Sequence, residues 1–149
     1  MYEIREASVQ QMLDSATELF EQHYDEIALN KNVMVLEPHV EKYLALEASQ
    51  EIFVLALYKD DEIIGYSVNF LSHHIHYAKL KVCSNDLLFV KKEHRNGRAG
   101  YMLIKETEEF AKQRDAQLML WHAKPDTALE KLVPRLGYKY QDIIFAKEI

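Results

Sequence analysis

The residues best suited to chemistry are Arg95-Asn96-Gly97-Arg98-Ala99-Gly100, set between an apolar run and an amphipathic one. A chain that turns there and enters a helix points several backbone N–H groups at one spot, with the positive end of the helix dipole behind them. Such a spot binds phosphate oxygens. The glycines let a ligand come close to the backbone, and Arg95 and Arg98 add positive charge. The same residues also make an ordinary structural turn. His122 closes another apolar run and precedes Lys124 and Pro125. With a reference pKa of about 6.5 its imidazole could exchange a proton at neutral pH, or it could bond to loop backbone. Asp86 heads the strand that leads to the turn, where its carboxylate could meet a substrate or bond to nearby backbone. His73, His74, His76 and Tyr77 form a polar group in which alternation sets His74 and His76 on one face, as at a pocket mouth. No cluster has zinc-ligand spacing, and no metal is expected. His23-Tyr24-Asp25-Glu26 is either a solvated helix end or an acidic wall facing a cationic substrate.

The elements that must position these residues follow from periodicity. Tyr2 to Arg5 reads as a strand. Ser8, with Gln11 three residues on, has the form of a capping box and opens a helix with Val9, Met12, Leu13, Ala16, Leu19 and Phe20 on one face. The segment from His23 to Leu36 has no clear pattern. A second helix is expected from Pro38 with Val40, Tyr43 and Leu44 inward. Ile52 to Tyr58 and Ile63 to Leu71 form a hairpin about the turn Lys59 to Glu62, and Asp86 to Val90 is a central strand. After the glycine turn comes a helix with Leu103, Ile104, Thr107, Phe110 and Ala111 inward, then a strand Leu118 to His122. A short helix Thr127 to Leu136, stopped by Gly137, and a final strand within Tyr138 to Lys147 complete the chain. The order β-α-α-β-β-β-α-β-α-β implies an α/β fold in one domain, residues 1–149. Its sheet is mixed and mostly antiparallel, with a central parallel strand pair flanked by helices; the crossover from 86 to 122 is right-handed.

Composition is that of a globular chain: 149 residues, 48% apolar and 28% charged. No apolar run reaches the roughly 20 residues of a membrane helix, and the first twenty residues carry four acids, unlike a secretory signal. A single cysteine, Cys83, fits a reducing, cytoplasmic setting. The net charge of −6 divides into −10 over residues 1–70 and +4 over residues 71–149. A basic half suits an anionic ligand and an acidic half a cationic one, and both are also what solvated faces produce. There is no concentrated basic stripe, so no nucleic-acid partner is expected.

Leu87-Leu88-Phe89-Val90, four residues, then Arg95 to Gly100 resembles the central motif of the GNAT N-acetyltransferase superfamily, an apolar strand followed by Arg/Gln-x-x-Gly-x-Gly/Ala. Asp126, Leu129, Leu132 and Leu136-Gly137-Tyr138 are similar to the family's closing segment. In its length and its His-rich and acidic motifs the chain is loosely similar to small acetyltransferases encoded by tailed phages. The resemblance implies acetyl-coenzyme A as co-substrate and a primary amine as acceptor. It implies that Gly97 to Tyr101, with Arg95, Asn96 and Asp126, surround the pyrophosphate, that the backbone of Leu88, Phe89 and Val90 pairs with the pantetheine arm, and that the thioester lies where two strands splay apart. A Rossmann dinucleotide site fits poorly, because its glycines follow the first strand of a domain. Two positions depart from the family pattern. Arg98 stands where glycine is usual, and Val133 stands where many relatives carry the tyrosine that protonates the thiolate.

Amine acylation requires a neutral nitrogen, whereas an alkyl ammonium has a pKa near ~10. Asp86, at a position where some relatives carry a substrate-facing carboxylate, is the expected anchor for the ammonium. His122 is expected as base or acid and Tyr138 as a proton source for the thiolate, with His76, Tyr24 and Glu26 as acceptor-side contacts. The alternatives are a catalytically silent binding module of the same fold, transfer of a different acyl group, or an acceptor amine on a modified base. The chain is expected to be a monomer or a homodimer.

Overall fold

The computed structural model describes residues 1–149. Strand β1 (Tyr2–Ala7) leads through Ser8 into α1 (Val9–Ser15). The capping box forms: Ser8 Oγ accepts the Gln11 N–H at 3.1 Å and Gln11 Oε1 accepts the Ser8 N–H at 2.7 Å. The single helix expected here is two. At Ala16 the backbone leaves helical geometry (φ −129°), and α2 (Thr17–Ile27) starts in a new direction. Val9, Met12, Ala16 and Leu19 are nonetheless buried together. After an irregular stretch, α3 (Val40–Ala48) follows. Its inward positions are Tyr43 and Leu46, while Val40 and Leu44 face solvent. Of the expected inward residues Tyr43 packs on the core, joined by Leu46 one turn on, while Val40 stands at the first position after the cap, His39.

Strands β2 (Ile52–Lys59) and β3 (Glu62–His73) form the hairpin, turning at Asp60 and Asp61, both at positive φ. Strand β4 (Lys81–Val90) begins five residues earlier than alternation suggested. It is followed by one 3-10 turn (Lys92–His94), α4 (Ala99–Gln113), β5 (Leu118–Trp121) and α5 (Ala128–Leu132). A further 3-10 turn (Val133–Leu136) ends at Gly137, whose φ of 92° is the left-handed conformation that glycine tolerates.

The sheet order is β1-β2-β3-β4-β5, antiparallel throughout except for the parallel pair β4–β5. One face carries α1, α2 and α3 over Val54, Ala56, Tyr66 and Phe89; the other carries α4 over Leu55, Leu57, Ile64 and Val90. Gly65 is required where β3 meets β4, since a Cβ there would lie 2.6 Å from the Phe89 carbonyl oxygen.

The final strand expected within Tyr138 to Lys147 does not form. Ile143, Ile144 and Phe145 stand 74%, 78% and 90% exposed. A strand exists only by pairing. Here the chain leaves Gly137 tied by Tyr138 to Glu108 of α4 (2.7 Å), on one face of the sheet and not along the outer edge of β5. The parallel pair thus lies at the rim of the sheet. No helix is long and apolar enough to cross a membrane.

Candidate active site

Strand β4 is paired with β3 from Lys81 to Val90 opposite Gly65, interrupted only at Asp86. Its pairing with β5 covers only Val82 to Asn85. From Asp86 to Val90 the second edge of β4 has no strand beside it, and this unpaired edge is the cleft side that runs from Asp86 towards the glycine turn. The Lys91 N–H donates to the Ile64 carbonyl at 2.8 Å. Antiparallel alternation then turns the Phe89 N–H towards β3 and leaves the N–H groups of Leu88 and Val90 facing the cleft. Phe89 therefore contributes its ring to the core and not a donor to the cleft.

Asp86 is the extra residue of a β-bulge: Leu87 pairs with Val68 and Asn85 with Asn69, leaving Asp86 without a partner on β3. The bulge tips its side chain towards α3, where Tyr43 donates to Asp86 Oδ2 at 3.5 Å. Desolvation by the surrounding groups raises the Asp86 pKa, with Tyr43 and His122 acting in the opposite direction. Tyr43 in turn is pushed up, first by burial and then by the carboxylate. His122, just past β5, has its Nε2 2.9 Å from Ser84 Oγ, a bond whose direction follows the imidazole tautomer. Asp86 and His122 thus share one cleft. Tyr43 and Ser84 belong with them but were absent from the sequence-derived set. Alternation along β4 could have identified Ser84, two residues before Asp86. Nothing local marks Tyr43, which reads as a core position of α3.

At the other end of the cleft, Gly97 and Gly100 have no neighbour within 4 Å of where a Cβ would stand. They are bare because the space before α4 is open, not because packing demands it. Arg98 is solvent-exposed as the N-cap of α4, Ala99 is fully buried beneath the turn, and Tyr101 is half exposed on the first helical turn. Arg95 differs from expectation. Its Nε donates to the Val90 carbonyl at 2.6 Å, its guanidinium lies 5.3 Å above the Phe89 ring, and its fork binds both oxygens of Glu26. Its charge is met by Glu26, so it builds the turn rather than adding free positive charge to it. Glu26 is held below the usual carboxylate range chiefly by Arg95.

Other expected contacts are also committed elsewhere. Tyr24 donates to the Met34 carbonyl at 2.7 Å and pins the stretch between α2 and α3. His76 packs against His74 and Tyr77, before the start of β4 and at its far end from the turn. No group of three or more His, Cys, Asp or Glu side chains has metal-binding geometry. Asp126 starts the turn into α5 at φ 63°, its N–H bonded to Glu130. Tyr138 donates to Glu108, and burial pushes its pKa up to about 12. It lines a cavity of about 280 Å³ with Ala111, Met119 and Gly137, on the α4 face and apart from Asp86. Cys83 is fully buried, which pushes its thiol to about 12 and makes it inert.

The model of the acetyltransferase (GNAT) family matches residues 9–138. No curated protein sequence matches the chain. Solved structures are similar in fold. An aminoglycoside acetyltransferase from an uncultured soil metagenomic sample shares 16% identity at a TM-score of 0.79, with 100% of this chain and 99% of that one covered. A putative acetyl transferase from Pyrococcus furiosus shares 20% at 0.74, with both chains covered in full. A ribosomal-protein-alanine N-acetyltransferase from Brucella melitensis biovar Abortus 2308 shares 13% at 0.73, covering 100% and 99%. At such identities the likeness concerns the fold.

Proposed function

From the premise that the chain belongs to the GNAT acetyltransferase family, we propose that its 149 residues, acting as one domain, transfer an acetyl group from acetyl-coenzyme A to a primary amine. The observation that carries this reading is the one-sided pairing of β4: the strand keeps β3 to Val90 but loses β5 after Asn85. Between the carboxylate of Asp86 and the bare glycines of the turn runs a free backbone edge. Acetyl-coenzyme A fits that arrangement. Its pyrophosphate meets the N–H groups from Gly97 to Tyr101 and the start of a fifteen-residue helix, and an extended arm pairs with the free edge of Leu88 to Val90.

Asp86 accepts a hydrogen bond from the acceptor ammonium, and its raised pKa suits it to take the proton, directly or through His122 and water. The neutral amine attacks the carbonyl carbon, and the Leu88 or Val90 N–H meets the oxygen as charge develops on it. The C–S bond then breaks. Val133 cannot donate a proton, and Tyr138 is bonded to Glu108. The sulfur therefore leaves as thiolate or takes a proton from the His122 side; a thiol of pKa about 8.5 leaves without obligatory help. The acidic layer around Asp86 favours a cationic acceptor, either a small polyamine-like molecule or the amino group of a protein.

The test is direct. Acetyl-coenzyme A should raise the melting temperature, and a panel of cationic amines should release coenzyme A thiol and give a product 42 Da heavier on the amine (order-of-magnitude binding gain RT ln(1 + [L]/Kd)). Gly100→Val should abolish the thermal shift without unfolding the protein, because its side chain would enter open space. Absence of any shift or binding heat at millimolar acetyl-coenzyme A would remove the reading.

A further inference from the structure

Strand β4 changes phase in its middle. Cys83 and Asn85 face α4, and beyond the bulge Leu88 and Val90 also face α4; Ser84, Asp86, Leu87 and Phe89 face the other side. Asp86 and Leu87 fall on the same side at the bulge; if these residues were paired regularly with no bulge, Leu88 and Val90 would turn out of the α4 core. An insertion also breaks the ladder and leaves backbone carbonyls without their regular partners. In this sheet a buried side chain bonds to carbonyls beside the insertion. Asn85 Nδ2 lies 3.3 Å from the Val68 carbonyl and 3.1 Å from the Leu87 carbonyl, one on each side of the bulge. It also reaches Asn69 Oδ1 at 2.8 Å and Ser67 Oγ at 3.2 Å.

Ser67 Oγ in turn is 2.9 Å from Thr107 Oγ1 of α4, the helix whose first turn forms the glycine site. Ser67, Asn69, Asn85 and Thr107 are all at most 1% exposed, a polar group enclosed in an otherwise apolar layer. None of the four faces the cleft, so none acts on substrate. A buried network of this kind is costly unless every member is bonded, and once bonded it specifies a single geometry.

We propose that Asn85, braced by Ser67, Asn69 and Thr107, is a positioning residue that fixes the β4 bulge and thereby aims Asp86 into the cleft at a set distance from the glycine turn. The proposal rests on the acetyl-transfer reading for its catalytic consequence, but its structural content does not. The groups that face Asp86 are Tyr43 from α3 and His122 from the end of β5, neither of which is hydrogen-bonded to Asn85.

The experiment compares wild type, Asn85→Ala, Thr107→Val, Asp86→Asn and the double variant Asn85→Ala/Asp86→Asn. Its readouts are kcat, KM, acetyl-coenzyme A affinity by calorimetry, and the titration of the Asp86 carboxyl carbon by NMR. In Asn85→Ala we expect kcat to fall about 10–10²-fold, the scale of a misplacement of roughly 1 Å, with acetyl-coenzyme A affinity unchanged. The Asp86 carboxyl, no longer held beside the groups that desolvate it, should titrate at lower pH, and the acid limb of the kcat profile should move with it. Thr107→Val, which keeps the amide's bonds to the two carbonyls, should shift the same quantities less. In the Asp86→Asn background, Asn85→Ala should cost nothing further.

Three results overturn the proposal: wild-type kcat and carboxyl titration in folded Asn85→Ala, an equal loss of kcat in the Asp86→Asn background, or a loss confined to acetyl-coenzyme A affinity. If Asn85→Ala does not fold, the smaller shift in Thr107→Val decides the question. If wild type acetylates no amine, the functional reading fails, and the NMR titration still tests the bulge by itself.

Discussion

Asp86 combines three properties seldom found on one carboxylate: it is inserted at a bulge, bonded to a phenol, and raised in pKa by desolvation. In the proposed mechanism the bulge aims the carboxylate, Tyr43 orients it, and desolvation, acting against the Tyr43 hydrogen bond, raises its affinity for a proton. Asp86→Asn is expected to lower kcat/KM by about 10²–10⁴, the range of lost acid–base catalysis, with acetyl-coenzyme A affinity unchanged. The acid limb of the wild-type pH profile should disappear in that variant. His122→Ala should cost less, because Ser84 and water remain beside the vacated position. A folded Asp86→Asn protein with wild-type turnover on its best amine would remove the carboxylate from the mechanism. Arg95 is instructive in the opposite sense. A motif arginine suggests a phosphate contact, yet this one joins the end of α2 to the end of β4 through Glu26 and the Val90 carbonyl.

Among the elements, the entry to α1 and the crossing of β3 over β4 are the most sensitive to single atoms. Both arms of the Ser8–Gln11 capping box form, so Ser8→Ala should reduce stability by about 1 kcal/mol, read as a lower midpoint of denaturation with an unchanged slope. Gly65→Ala should cost more, on the order of 1–3 kcal/mol, because its Cβ meets the backbone oxygen of Phe89. Backbone on this strand cannot give way without disturbing the cleft edge of Val90, so kcat should fall together with stability. Equal stability of Gly65→Ala and wild type would show that the two strands can separate locally. The helices differ in kind: α4 supplies Leu103, Ile104, Thr107 and Ala111 to the core, whereas α3 buries no residue fully and contributes Tyr43 to the site.

Across the whole molecule, charge and titration follow the layering. The layer formed by residues 8–51 carries nine acids against two bases, and it covers the sheet face on which Asp86 lies. The apparent Michaelis constant of a cationic acceptor should therefore rise with ionic strength, since salt screens exposed charges over about 10 Å at 0.1 M. An acceptor whose constant ignores salt would separate the charge pattern from function. Inside the same layer, His23 is buried against Phe89, with its Nδ1 2.7 Å from the Tyr66 hydroxyl, and desolvation lowers its pKa to about 4. Between about pH 4 and 6.5 the unfolded chain thus binds a proton that the folded one refuses. This contribution to stability is complete above about pH 6.5 and is lost as the pH falls towards 4, by up to roughly 3 kcal/mol. Denaturation midpoints measured over that window should fall with acidity in wild type and much less in His23→Gln.

Much of this was present in residue order. Apolar alternation in Ile52–Lys59, the capping box at Ser8, the inward stripe of α4 and the glycine turn are local patterns, and local patterns act through short-range geometry that the chain carries with it. The pairing of Asp86 with His122 followed as well, because a crossover between parallel strands must return beside its start. What residue order could not decide was everything that depends on a partner distant in the chain. Tyr43 reaches Asp86 across 43 positions, Arg95 finds Glu26 across 69, and the apolar tail at Ile143 to Phe145 finds no partner in this chain. The bulge at Asp86 is of the same kind. Nothing in Asn85-Asp86-Leu87 signals an extra residue until β3 presents the acceptors among which one buried amide bonds. Periodicity determined most of the elements, and the motif from Leu87 to Gly100 carried the resemblance to the family. The aim of the carboxylate was decided only in the assembled core, because an unpaired buried polar group is costly and the bonds available to Asn85 depend on partners distant in the chain.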